Sequence, residues 1–331
     1  MVARGLFERA TRRFAAHGAR APLGLLLKNI RRRVAESTIQ RYQSTTLKFA
    51  DALERGEHSA RMQLRTLADR ALEEMRTTVE EEAGRAGFPR SWAASVDDWW
   101  RHTSEGEYLD DPSLDQHLRV RILRDLDAMN DLFGSYFIFF TRLRPLAQSD
   151  RPTRILDLAA GHGGFALAVA KLGAGAGLEL ELTASDIKGE YLALGEPRAQ
   201  ELGLGVKFVV QDALDLSNVD RRSYDVVVCV QSLHHFSAGQ VAVMFAEAAR
   251  VASRGVLFID GARSALNAAM VTGVGLCVYR NRALAHDIMV SFRRFFVPEE
   301  LEVLARLGRW GSRATAEFSP PGHCVLELRK D

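Results

Sequence analysis

Residues 154–165, Arg-Ile-Leu-Asp-Leu-Ala-Ala-Gly-His-Gly-Gly-Phe, constrain this chain more than any other stretch. A short apolar run ends at Asp157, turns through small residues and opens into the helix-like run Phe165-Ala-Leu-Ala-Val-Ala-Lys-Leu172. That order predicts a strand, a tight loop and a helix start. Gly161 and Gly163 remove Cβ atoms where a ligand must approach the backbone, and they permit the positive φ that such a turn needs. The helix behind the loop points its free N–H groups at whatever sits there.

Two ligand classes use a loop of this kind. Gly161-x-Gly163-x-x-Ala166 fits the dinucleotide fingerprint, in which alanine can replace the third glycine. Asp157, four residues before Gly161, points elsewhere, because a carboxylate there would face a pyrophosphate. It suits a ligand with a cationic part. Asp157-x-Ala159-x-Gly161-x-Gly163 resembles the first motif of class I S-adenosylmethionine-dependent methyltransferases. One departure is visible: Ala159 stands where the family's first glycine is usual. Alanine is the mildest replacement, so the loop is read as intact.

From Arg154 onward the pattern alternates strand and helix, the mark of a parallel α/β sheet. Strands are expected at 155–158, 180–185, 206–210, 224–230 and 256–259, with helices near 164–172, 189–202 and 238–251. A hairpin is expected from 314–319, the Pro320-Pro-Gly322 turn and 324–328. The resemblance implies a Rossmann-like, seven-stranded methyltransferase sheet that ends on an antiparallel strand. Polar or acidic residues near the strand ends fall along the carboxyl edge, where open α/β folds bind ligands.

Three further motifs follow the glycine loop in order. Asp186, in Thr183-Ala-Ser-Asp186-Ile187, lies 25 residues after Gly161 and can accept two hydrogen bonds from a ribose diol, with Ile187 lying against a flat base. NAD enzymes use an acid there too. In Val209-Val-Gln-Asp212-Ala213, the resemblance assigns Asp212 to the adenine amino group and the next backbone N–H, of Ala213, to the ring. Each acid alone also reads as an ordinary cap or turn aspartate. Three acids at three consecutive strand ends form a joint signal. Cys229-Val-Gln231-Ser-Leu-His234-His235-Phe236 resembles the segment after the fourth strand of small-molecule methyltransferases, where the methionine end of the cofactor meets the acceptor. His234 and His235 are candidate general bases there. Fixing the loop by hydrogen bonds is the competing role, since transfer from a sulfonium needs little beyond alignment. No Asn/Asp-Pro-Pro-aromatic run and no Pro-Cys pair follow that strand, which disfavours base methylation and nucleic-acid substrates.

After residue 260 come an apolar stretch, 264–279, and His286-Asp287-Ile-Met-Val-Ser291-Phe-Arg293-Arg294, in the region where class I enzymes carry substrate-cap elements. His286 is a third candidate base; Arg293 and Arg294 are candidates for an acidic substrate group, or for salt bridges tying the cap to the sheet. The apolar run 136–140, containing Tyr136, is expected to cover the sheet or roof the site. These features resemble methyltransferase-domain proteins of bacterial polyketide and aromatic pathways.

The amino-terminal half reads differently. Residues 1–45 look helical with breaks at Gly18 and Pro22, and 46–85 look helical with a kink near Gly56. Trp99-Trp100 is expected in a short aromatic loop, and a helix is expected after Asp111-Pro112. Net charge is +2, which gives no whole-molecule attraction to nucleic acid, but residues 1–48 carry eleven Lys/Arg against two Glu. A basic amphipathic arm suits an anionic membrane surface or a polyanion; an arm packed on its own protein, or a partly disordered tail, is the plainer and preferred reading. Cys229, Cys277 and Cys324 are odd in number and far apart, without metal spacing; a cytoplasmic protein without a resident metal is expected. The apolar stretch 264–279 is too short to span a bilayer.

The division is therefore a helical domain at 1–148 (basic arm 1–48, then substrate-cap helices) and a methyltransferase domain at 149–331. The resemblance implies S-adenosylmethionine as cofactor, bound through Asp157, Ala159, Gly161, Gly163, Asp186, Ile187, Asp212, Ala213 and Gln231. The expected acceptor is a small, largely apolar molecule methylated on oxygen, of aromatic or polyketide type. An N- or C-methyltransferase, an NAD-dependent oxidoreductase and a non-catalytic cofactor-binding or membrane-associated protein are the alternatives.

Overall fold

A computed structural model describes residues 22–101, 103, 105–147, 151–308 and 313–330. The expected helix around Phe7, Arg12 and Arg13, the break at Gly18 and part of the 149–152 linker lie outside the described residues.

Among the described residues, three helices come first, α1 (Pro22–Glu54), α2 (Ala60–Ala86) and α3 (Arg90–Arg101). Leu27, Ile30, Val34 and Ile39 recur at helical spacing and are buried, which fixes one face of α1 inward. The chain breaks at Gly56, whose φ of 85° ends a helix rather than kinking one, so the expected boundary near residue 46 falls mid-helix. Trp99 and Trp100 are not in a loop; both lie in the last turns of α3.

Next come a 3-10 turn at Tyr108–Asp110, then α4 (Gln116–Phe133) and α5 (Ser135–Leu143). Asp115 caps α4 by accepting the Leu118 N–H at 3.0 Å. Gly134, in the left-handed region at φ 65°, separates α4 from α5.

The sheet half runs β1 (Thr153–Leu158), α6 (Gly164–Gly175), β2 (Leu180–Asp186), α7 (Gly189–Glu201), β3 (Val206–Val210), β4 (Tyr224–Val230), a 3-10 turn at Leu233–His235 and α8 (Ala238–Val251). It continues with β5 (Ala252–Gly261), α9 (Ala265–Cys277), α10 (Arg282–Arg294), α11 (Pro298–Arg306), β6 (Ala314–Ser319) and β7 (His323–Arg329). The seven strands are ordered β3-β2-β1-β4-β5-β7-β6. β7 is antiparallel to β5 and β6; the other pairings are parallel. The architecture is the expected α/β, Rossmann-like sheet. Its strand order reverses between β1 and β4, which opens the ligand crevice of a doubly wound sheet.

One face of the sheet shares a core with α1, α2, α3, α8 and α11; the other packs against α5 and α6 through Phe139, Phe140, Leu143 and Phe165. Burying each such side chain contributes about 1.5–3 kcal/mol. A third apolar cluster joins α4, α9 and α10 through Ile122, Met129, Leu284, Ile288 and Phe292. The amino-terminal helices are bound to the sheet half by charge as well as by packing. Asp97 of α3 pairs with Arg263 at 3.2 Å while also holding Arg31 of α1 at 2.8 Å, and Arg76 reaches Glu300 at 2.7 Å. Asp69 accepts the Gly239 N–H at 2.6 Å. Within the amino-terminal half, Arg33–Glu82 and Arg41–Glu74 tie α1 to α2. Among the described residues, no helix is long and apolar enough to cross a membrane.

Candidate functional site

The site is built on the loop after β1. Asp157 faces Ala184 of β2 and Val228 of β4, so it sits at the centre of the sheet where the order reverses. The loop turns through three left-handed residues, Ala159 (φ 51°), Gly161 (φ 56°) and Gly163 (φ 75°). Gly163 N–H donates to the Ala160 carbonyl at 2.9 Å, and Ala160 N–H donates to the Ser185 carbonyl at 2.9 Å. Ser232, after β4, donates its hydroxyl to the Ala159 carbonyl at 2.8 Å. Asp186 closes the loop from β2 by accepting Gly161 N–H at 2.8 Å.

A cavity of about 410 Å³ lies over this loop. Its walls include Asp157, Ala159, Gly161, Asp186, Ile187, Asp212, Ala213, Gln231, His235 and Tyr136; Gly163 stands just behind them as the N-cap of α6. Ile187 is 63% exposed, so an apolar face borders the cavity. Asp212 accepts the Leu214 N–H at 2.8 Å, which orients the turn after β3.

Asp157 is the electrostatic anomaly. It is 2% exposed, and its Oδ2 has no hydrogen-bond partner among the described residues. Burial, and then the charge of Asp186, push its carboxyl well above the usual range. A buried carboxylate without a partner is costly. A cationic ligand group beside it relieves both conditions.

A second cavity, of about 180 Å³, shares Leu109, Leu126, Gln231 and His235 with the first. Ile122, Met129, Phe133, Leu284, Ile288, Phe292 and Phe295 make it apolar; Asn130, Glu107, His234 and His323 supply polar groups. Gln231, in the left-handed region at φ 55°, exchanges two hydrogen bonds with Asn130, at 3.0 and 2.9 Å. This reciprocal amide pair fixes the shared wall.

His234 is held between two carboxylates. Its Nδ1 lies 2.8 Å from Asp260 Oδ2 and its Nε2 lies 3.5 Å from Glu107 Oε1. Asp260 also accepts the His234 backbone N–H at 2.9 Å. Burial pushes the imidazole down, but Asp260 and then Glu107 outweigh it and leave it raised. His235 Nδ1 is 3.4 Å from Asp110, and its Nε2 is 3.9 Å from Glu107. The two imidazole rings lie against each other, with centroids 4.2 Å apart and planes tilted by 37°.

The other candidates stand apart. His286 contacts Asp287 at 3.1 Å and lies 4.7 Å from the Tyr108 ring, outside the described walls of both cavities. Arg293 donates to the Trp100 carbonyl at 2.9 Å and Arg294 to the Glu105 carbonyl at 2.7 Å, also outside both walls. Their contacts tie α10 to the segment before α4. Tyr136 lines the first cavity rather than the apolar one, and donates to Asp127 at 2.9 Å.

Sequence reading missed Glu107, Asp127 and Gly195. Asp127 joins Tyr136, His162 at 3.0 Å and Arg198. Burial pushes its carboxyl up, but His162 and Arg198 hold it at about 2. A polar pair, Asp127 and Asn130, on the face that carries Ile122, Leu126 and Met129 was the available signal. Glu107 carried none; its neighbours come from residues more than a hundred positions away.

A seven-stranded sheet of this order, with an antiparallel β7, a glycine loop after β1 and acids at three strand ends, is that of a class I S-adenosylmethionine-dependent methyltransferase domain. Residues 155–255 match the family model described as Methyltransferase domain. The dinucleotide alternative leaves Asp157 and β7 without a role. Over 113 residues the chain is 34% identical to a demethylmenaquinone methyltransferase of Thermus thermophilus; the match covers 34% of this chain and only 49% of that relative's length. Solved structures similar to this chain include the plantazolicin methyltransferase BpumL in complex with SAH (14% identity, 78% of this chain, 99% of that one, TM-score 0.49). Another is magnesium protoporphyrin IX methyltransferase from Synechocystis PCC 6803 with bound SAH (14% identity, 72% and 94% coverage, TM-score 0.42). The cofactor of the class is S-adenosylmethionine. The orphaned, buried Asp157 oxygen beside the glycine loop fits its cationic end.

Proposed function

We propose that this chain transfers a methyl group from S-adenosylmethionine to an oxygen of a small, largely apolar acceptor of aromatic or polyketide type. The observation that carries the reading is the shared wall: the cofactor cavity and the apolar chamber meet at Leu109, Leu126, Gln231 and His235. When bound, the cofactor supplies an activated methyl group on a sulfonium. Asp157 holds a cationic part of the ligand, Asp186 its ribose hydroxyls, and Ile187, Asp212 and Ala213 its base. The Gln231–Asn130 pair keeps the junction between the cavities in place. Ile122, Met129 and Phe292 exclude water and set the acceptor's shape. The polar end at His234 and His235 fixes the acceptor oxygen. Alignment across the junction supplies the main rate advantage.

Calorimetric titration with S-adenosylmethionine, S-adenosylhomocysteine and NADH tests the cofactor. Saturable binding of the two sulfur compounds, with none of NADH, is expected. Transfer of isotope-labelled methyl to a panel of phenols and enols, compared with amines, then tests the acceptor. Labelled amines with unlabelled phenols and enols would overturn the oxygen assignment; NADH binding alone would overturn the whole reading.

A further inference from the structure

We propose that Glu107, His234 and His235 form a binding site for one divalent transition-metal ion of the zinc type, at the junction of the two cavities. One ligand atom from each residue lies within 4.8 Å of the other two. Glu107 Oε1 is 3.5 Å from His234 Nε2, and Glu107 Oε2 is 3.9 Å from His235 Nε2. Ligands about 2.1 Å from a tetrahedral ion stand about 3.4 Å from one another, so small side-chain movements complete the shell.

The surroundings are those of a prepared site rather than a chance ion pair. Both imidazoles turn Nε2 toward Glu107 and present Nδ1 to a carboxylate of their own, Asp260 at 2.8 Å and Asp110 at 3.4 Å. That carboxylate–imidazole arrangement fixes the tautomer and ring plane that a metal requires. Glu107 is fixed as well: Ser291 donates its hydroxyl to Oε1 at 2.8 Å. Asp287 accepts the backbone N–H groups of Tyr108 at 2.7 Å and Leu109 at 3.2 Å, which anchors the turn that carries Glu107. Three carboxylates thus surround two imidazoles; Lys188 at 3.7 Å and Arg294 at 3.9 Å already offset Asp110, and a dication would offset the remaining pair, Glu107 and Asp260. Two imidazoles and one carboxylate select zinc, cobalt, nickel or iron over magnesium or calcium.

His234 and Glu107 are buried, whereas His235 borders both cavities. A remaining coordination position therefore faces the chamber. An acceptor bearing a hydroxyl or enol oxygen would complete it; this last step rests on the methyltransferase reading, and the metal site does not.

The test uses the full chain freed of metal by a chelator, titrated with Co²⁺ by visible absorption and with Zn²⁺ by calorimetry, with S-adenosylhomocysteine binding measured in parallel. One equivalent of Co²⁺, displaced by Zn²⁺, is expected. Glu107→Gln abolishes stoichiometric binding while retaining S-adenosylhomocysteine binding, which also certifies folding; His235→Ala abolishes it too, with folding certified by an unchanged circular dichroism spectrum and a cooperative melt, because His235 also lines the cofactor cavity. Asp260→Asn, which keeps all three ligands, weakens metal binding by about 10–100-fold. Absence of stoichiometric Co²⁺ binding, or binding unchanged in Glu107→Gln and His235→Ala, overturns the site. Metal binding without any S-adenosylhomocysteine binding leaves the site standing and removes the methyltransferase reading instead.

Discussion

Asp186 accepts the backbone N–H of Gly161 at 2.8 Å, so the acid at the end of β2 holds the glycine loop at the end of β1. Its other oxygen accepts Lys188 N–H at 2.8 Å. A carboxylate has about four acceptor sites, so these bonds leave capacity for ribose hydroxyls. Asp186→Ala removes both functions. Losing a buried partner costs about 1–3 kcal/mol, so S-adenosylhomocysteine affinity falls by about 10–100-fold. Calorimetry on the variant measures this; an unchanged dissociation constant would show that neither function matters.

Ala159 occupies a left-handed position, φ 51°, where the usual family motif has glycine. An L-residue there costs about 1–2 kcal/mol. Ala159→Gly relieves that strain, partly offset by the greater freedom of glycine in the unfolded chain. Its melting temperature rises, whereas Ala159→Val lowers it, because β-branching aggravates the same conformation. Thermal melts of the three proteins decide the order.

The sheet domain was legible because its signals are local. An apolar run, an acid and a glycine loop lie within a dozen residues, and Asp157, Asp186 and Asp212 each lie at or within two residues of a strand end. The cap was less legible because its contacts are distant: Gln231 meets Asn130 across 101 positions, and Ser291 meets Glu107 across 184. His286, Arg293 and Arg294 carry chemically suggestive side chains, but only the folded packing of α10 shows that they lie outside the walls of both cavities, with Arg293 on the Trp100 carbonyl and Arg294 on the Glu105 carbonyl and 3.9 Å from Asp110. Trp99 and Trp100 read as a loop because aromatic pairs carry no helical phase by themselves; burial of Ala93 and Ala94 within α3 supplies it.

Asp97 links stability to pH. Burial pushes its carboxyl up, but Arg263 and Arg31 outweigh this and hold it at about 2, against an ordinary 3.8. A folded-state value below the unfolded one contributes stability that is complete above about pH 4 and is lost as pH falls toward 2. The contribution is about 2 kcal/mol. Urea melts between about pH 5 and pH 3 should show a shallower loss for Asp97→Asn than for the parent protein. Equal slopes would mean that the Arg31–Asp97–Arg263 contact contributes nothing to holding α1 and α3 against the sheet half.

Gly195 allows α7 to press against the cofactor loop. A Cβ there would lie 2.1 Å from the His162 carbonyl oxygen and 2.7 Å from the Phe208 ring. Phe208 can rotate, but the His162 oxygen is backbone and sits inside the loop between Gly161 and Gly163. In a helix interior, glycine to alanine ordinarily gains up to about 1 kcal/mol. Gly84, in α2, has nothing within 4 Å of its would-be Cβ, so Gly84→Ala should show that gain. At Gly195 the sign reverses. Either α7 retreats or the loop shifts, and overpacking of this kind costs about 1–3 kcal/mol. Gly195→Ala should therefore melt lower than the parent and bind S-adenosylhomocysteine more weakly, while Gly84→Ala melts higher with its binding intact. A stable Gly195→Ala with parental affinity would mean that the loop tolerates displacement, and that its position is set by Asp186 and Ser232 alone.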